Sequence, residues 1–273
     1  CGFMFAGREK GMVIKMDNAV EAVTQEESKK WGATGSTLKM IAIITMLVDH
    51  TAAIVLERVL WAHNFSSVTI YWVYVVMRSI GRLGFPIFCF LLIEGFCHTR
   101  NVKKYAGRLF LFALISEMPF DLGFSGKLFY MQYQNVFFTL LIGLLVLIFF
   151  RYIGEKKEWN SSLCFIINCV ALVGGMCLAD FLRTDYGGMG VLTIVWMYLL
   201  RKNKMLEAGA GCAVLTLMSW SEVTSFLILL PIHRYNGERG WNLKWIFYLF
   251  YPAHIFLLYI VAYGMGLGGI MLR

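Results

Sequence analysis

Two ionisable residues, Asp49 and His50, interrupt an otherwise apolar run from Leu38 to Leu56, LKMIAIITMLVDHTAAIVL. A helix of about 20 apolar residues crosses the roughly 30 Å of hydrocarbon in a bilayer. At about 1.5 Å per residue, His50 lies roughly 18 Å beyond Leu38, past the midplane. An acid at that depth costs about 3 kcal/mol or more unless it is paired. The plainer reading is a packing pair, with Asp49 in an ion pair and His50 in an interhelical hydrogen bond. The chemical reading is a general base, because a neutral imidazole can take a proton from an attacking hydroxyl or amine. Neighbours in sequence do not face each other on a helix. Asp49 is therefore expected to pair across to Arg78 or Arg82, leaving His50 to face the bundle interior.

The rest of the chain must supply that interior. Of its 273 residues, 59% are hydrophobic, 16% aromatic and only 15% charged, the balance of a polytopic helical membrane protein. The expected fold is all-α, a transmembrane bundle of about nine spans. They fall at about 38–56, 83–96, 105–120, 135–152, 163–180, 188–200, 205–220, 222–233 and 244–263. Val68–Met77 is too short to span alone and reads as interfacial. Residues 1–35 are expected to form a cytoplasmic tail, poorly ordered or lying on the surface, with Met12 and Met16 as candidate starts. Residues 36–273 then form one domain.

The net charge of +8 does not imply nucleic acid, since the basic residues are divided among short loops. Lys29, Lys30 and Lys39, the 98–108 loop, the 151–157 loop, Arg201/Lys202/Lys204 and Arg234/Arg239/Lys244 alternate with loops holding little beyond Arg58, Lys127 and Arg183. By the excess of Lys and Arg on the cytoplasmic side, the N terminus is inside and the C terminus outside. Asp49, His50, Arg78, Arg82, Glu117, Asp121, Gln134, Asn135, Asp180, Arg183 and Asp185 then gather in the outer half, as if around a chamber, and His254 lies near the middle of the last span. On the cytoplasmic side, Arg100, Lys103, Lys104 and Arg108 suit phosphate groups. Lys104 and Arg108 are four apart, on one helix face. The seven cysteines form no CxxC, and no metal site is expected. Without a GxSxG, HExxH or P-loop, hydrolase, metalloprotease and ATPase readings lack their residues.

The segments LKMIAIITMLVDH, RSIGRLGFPIFCFLLIEGF, NVKKYAGRLFLFALISEMPFDL, QNVFFTLLIGLL, FLRTDYGGMGVL and FYLFYPAHIFLLY, in this order, resemble the TraX family. That family is named for the conjugation-plasmid protein that acetylates the N terminus of pilin. It is distantly similar to acyltransferase family 3 and to the lysosomal heparan glucosaminide acetyltransferase. The likeness lies in His50 in the first span, Arg108 in the third, and Tyr251-Pro252-Ala253-His254 in the last. Where the larger family has Ser-Gly, this chain has Glu94-Gly95.

The resemblance implies acetyl-CoA as donor, entering from the cytoplasm of a bacterial inner membrane. It also implies an acceptor at the outer face, a pilin-like peptide or a glycan. Arg100, Lys104 and Arg108, with Arg78, are the expected donor contacts. His50 is the expected base, supported by Asp49, and Arg82 or His254 is expected to steady the thioester oxyanion. An acetyl-enzyme through His50 or Cys89 is the lesser route. The competing reading is a proton-coupled transporter using Asp49, His50, Glu117 and Asp121 as a relay, against which the chain shows no internal repeat.

Overall fold

The structure is a computed structural model that describes residues 32–156, 160–241 and 244–272. The tail expected over residues 1–35 falls outside the described residues as far as residue 31. The described residues are all-α, with two isolated β-bridges. Among the described residues, five helices are long and apolar enough to cross a membrane.

Helix α1 (Gly35–Ala62) carries the Asp49–His50 pair and relaxes into a π-turn over Ala52–Leu56. Helices α2 (Val68–Gly81) and α3 (Gly84–His98) join at Arg82–Leu83 into one 31-residue candidate span. The aromatic stretch at Val68–Met77 is therefore the first half of a long candidate span and not a separate short element. Its pairing with the next apolar run supplies the length it lacks alone. Next come α4 (Val102–Ser125), α5 (Val136–Gly154), α6 (Ser161–Phe181), α7 (Gly187–Leu200) and α8 (Lys204–Met218). A nine-residue 3-10 helix (Trp220–Ile228) runs into the short α9 (Leu229–His233), and α10 (Lys244–Gly264) ends the bundle.

Helix starts follow side-chain chemistry. Thr34, Ser67, Asn101, Asn135, Asn160 and Asn203 each accept a hydrogen bond from a backbone N–H of the first turn, satisfying donors that a helix cannot pair internally. In the 3-10 helix, three residues per turn place Glu222, Ser225 and Ile228 on one buried face. At about 2.0 Å per residue this segment and α9 together extend roughly 25 Å, matching the about 22 Å of α8 beside them.

Two belts close the bundle. At one end, Ala33 N–H donates to Arg234 O (2.8 Å), and Gly35 and Ser36 donate to Glu238 O and Arg239 O (2.7 and 3.0 Å). At the other, Gln134 N–H donates to Arg183 O (3.0 Å) and Asp185 N–H to Gln134 O (2.9 Å). Between them Phe90, Phe96, Ile87, Leu144, Leu147 and Ile194 are buried. Only 6% of the apolar window of α6 is buried, so that helix presents almost its whole length outward, as a lipid-facing edge requires.

Arg58, expected as a loop charge, is instead fully buried. Its Nη1 donates to Ile54 O and Gly123 O (2.8 and 2.7 Å) and its Nε to Ile270 O (3.0 Å). One guanidinium thus ties α1, α4 and the C-terminal segment, because its planar fork reaches several carbonyls at once. Arg58→Met keeps the apolar stem and removes every donor, and each orphaned buried carbonyl costs about 1–3 kcal/mol. The variant is expected to unfold at lower temperature in detergent, with faster amide exchange over residues 265–272. Unchanged exchange there would show that the clamp contributes nothing.

Candidate active site

Helix α1 brings His50 inward just before its π-turn, a distortion often found at functional sites. Across from it stands His254 of α10, and both imidazoles are buried. His50 Nδ1 and His254 Nε2 are 2.7 Å apart, with ring planes within 2° of parallel. His254 Nδ1 lies 2.7 Å from Phe250 O. A carbonyl only accepts, so His254 Nδ1 carries the hydrogen and its Nε2 is the acceptor. His50 Nδ1–H therefore donates to His254, and the neutral His50 ring keeps its lone pair on Nε2. That is the tautomer a base needs.

A cavity of about 650 Å³ approaches this pair from the belt formed by residues 33–36 and 234–239. Along α3 it runs from His98 to Phe88, roughly 15 Å at the helical rise. Lys39, Arg100, Arg108 and Arg239 line it, with Glu94 as the one carboxylate among the described lining residues. Its far end is walled by Met46, Val136, Phe137 and Tyr251. The Tyr251 ring packs edge-on against both His50 and His254, with centroids 5.9 and 5.8 Å away. The cavity thus has a cationic mouth and aromatic walls; His50 and His254 do not line it, and Tyr251 stands between it and the pair.

Of the expected donor contacts, Arg100 and Arg108 line this cavity and Lys104 does not. Lys103 and Lys104 are exposed, because the first turn of α4 stands outside the bundle. Arg78 is elsewhere, in a 2.5 Å ion pair with Asp49. A Cβ at Gly81 would run into the Asp49 side chain, so that glycine makes room for the pair. Arg82 pairs with Glu222 at 2.9 Å and lies near Tyr186. Cys89 is fully buried and does not line the cavity. Glu117 is bound by the Asn135 amide, and Asp121 Oδ2 accepts from Tyr130 N–H at 2.7 Å.

Lys39, Arg239, Glu222 and Tyr251 were not among the expected site residues. Lys39 and Arg239 were legible only as loop charge, since nothing local says that residues 200 apart share one mouth. Glu94 accepts from the Tyr235 hydroxyl at 3.0 Å, so the departure from Ser-Gly gives the carboxylate a positional task. Burial, and then that carboxylate, push the Tyr235 phenol above its ordinary value, and it stays a donor. Gly95 lets Tyr105 pass, since a Cβ there would meet the Tyr105 hydroxyl at 2.9 Å.

The family model described as TraX protein matches residues 34–262, which contain the histidine pair and the cationic cavity. Probable fimbrial assembly protein FimC, serogroup H1, of Dichelobacter nodosus is 32% identical over 237 residues, covering 81% of this chain and 92% of that protein. Uncharacterized protein RP591 of Rickettsia prowazekii (strain Madrid E) is 22% identical over 202 residues, 73% of this chain and 68% of that protein. No solved structure matches the chain. By the family match across most of its length and the similarity to a fimbrial assembly protein, the chain belongs to the TraX family.

Proposed function

We propose that this protein is an integral-membrane acetyltransferase that moves an acetyl group from cytoplasmic acetyl-CoA to an amine or hydroxyl acceptor at the opposite face. The observation that carries this reading is the cavity, lined by four cations and by Tyr251, whose ring packs against the His50–His254 pair behind it. Cations at the mouth match the phosphates of coenzyme A. The long apolar shaft suits the pantetheine arm and leads the thioester toward His50. There His50 Nε2 takes the proton of the acceptor as it attacks. Similarity to a probable fimbrial assembly protein favours a pilin-like acceptor over an envelope glycan.

The reading places the protein in a bacterial inner membrane with nine traverses, the N terminus inside and the C terminus outside. Support comes from the belts, which put residues 33–36 with 234–239 and residue 134 with 183–185. In this reading the 3-10 helix and α9, together about as long as α8, serve as one of the traverses beyond the five long helices.

The test is acetyl transfer by the purified protein from labelled acetyl-CoA. A charge-assisted hydrogen bond contributes about 1.5–3 kcal/mol. Arg108→Ala is therefore expected to raise the KM for acetyl-CoA at least tenfold, with kcat little changed, and Arg108→Lys to recover part of the loss. Lys104→Ala, outside the cavity, is expected to leave KM within twofold. An unchanged KM in Arg108→Ala would remove that residue from the donor site.

A further inference from the structure

Acyl transfer from a thioester builds negative charge on the carbonyl oxygen, and a preorganised donor must meet it. The two groups first expected to do so are engaged elsewhere. Arg82 is held by Glu222 and does not line the cavity. His254 gives its only hydrogen to Phe250 O and accepts from His50. We propose that the Tyr251 hydroxyl, on a ring that lines the cavity and packs against both histidines, is the donor that stabilises the thioester oxyanion. This rests on the acetyltransferase reading and assigns one residue within it.

Tyr251 is 3% exposed and lines the cavity. It is three residues before His254, so on α10 the phenol and the imidazole share one face. The ring is fixed edge-on against Phe137, with centroids 5.0 Å apart. The Val136 backbone N–H, in the first turn of α5 where the helix leaves amides unpaired, lies near the hydroxyl oxygen. An oxygen that faces an amide N–H turns its own hydrogen away from it, as a donor. The α5 N-terminus adds partial positive charge at the same point.

In the step, the acceptor heteroatom forms a bond to the thioester carbon while its proton passes to His50 Nε2. The C=O π pair moves onto oxygen, where Tyr251 O–H donates without transferring its proton. When the pair returns, the C–S bond breaks and the coenzyme A sulfur leaves, recovering the proton from His50. The products are acetylated acceptor and the free thiol.

Tyr251→Phe keeps the ring and its contacts and loses only the hydroxyl. It is expected to lower kcat about a hundredfold or more, with KM for acetyl-CoA and protection by coenzyme A against thermal unfolding unchanged. Val136→Pro provides a second arm. Proline is accepted at the first helical position, and Asn135, with φ −67° and ψ 160°, has the extended backbone that precedes proline. It deletes the amide behind the hydroxyl and is expected to lower kcat about tenfold at constant KM. If wild type transfers acetyl and Tyr251→Phe retains kcat within threefold, the Tyr251 assignment is overturned and the enzyme reading stands. If Tyr251→Phe does not fold, an unchanged kcat in Val136→Pro overturns it equally. No transfer by wild type in the presence of donor and acceptor would overturn the enzyme reading itself.

Discussion

Replacing His50 with alanine is expected to reduce kcat for acetyl transfer about a thousandfold while acetyl-CoA still binds. Positioned general bases contribute about 10²–10⁴-fold, and the arrangement around His50 is that of a base with a fixed tautomer. Phe250 O holds the His254 hydrogen on Nδ1, and His254 Nε2 holds the His50 hydrogen on Nδ1. The cations at the cavity mouth are untouched by the change, so donor KM is expected to stay within about threefold. His254→Phe tests the relay separately. It leaves His50 in place but removes the acceptor that selects its tautomer, and an intermediate loss in kcat is expected. A packing role makes the opposite forecast for His50→Ala, a lower unfolding temperature with normal turnover per folded molecule. Normal turnover would return His50 to the core.

The second large effect is on stability. Arg82→Met is expected to destabilise the protein by about 3–5 kcal/mol, the usual consequence of stranding one partner of a buried ion pair. The stranded group is Glu222, wholly buried on the inner face of the 3-10 helix. The double variant Arg82→Met/Glu222→Leu removes both charges and is expected to recover most of the loss, since apolar replacement of a buried pair is often neutral or better. Reversible unfolding in mixed detergent would measure both. Additive losses would mean that the two side chains do not act as a pair. The same series separates structure from chemistry, because an Arg82 acting only on the oxyanion would lower kcat in both variants without moving stability.

Much of this protein is written locally. Long apolar runs, helix-starting Thr, Ser and Asn residues, and sparse charge require an all-α membrane-type bundle whatever the packing. The cost of an unpaired acid in hydrocarbon likewise required a cation near Asp49, and two arginines one turn apart were the available choices. Which one pairs with Asp49 was not legible. Arg78 takes it and Arg82 turns to Glu222, because the break at Arg82–Leu83 and the return of the 3-10 helix decide what each guanidinium can reach. The same holds for His50 with His254, 204 residues apart, and for Lys39 with Arg239 at one cavity mouth. Periodicity along a chain says which face of a helix is buried. It does not say which helix lies against that face, and only the packing of α1, α3, α4 and α10 against one another brings these side chains to a common site.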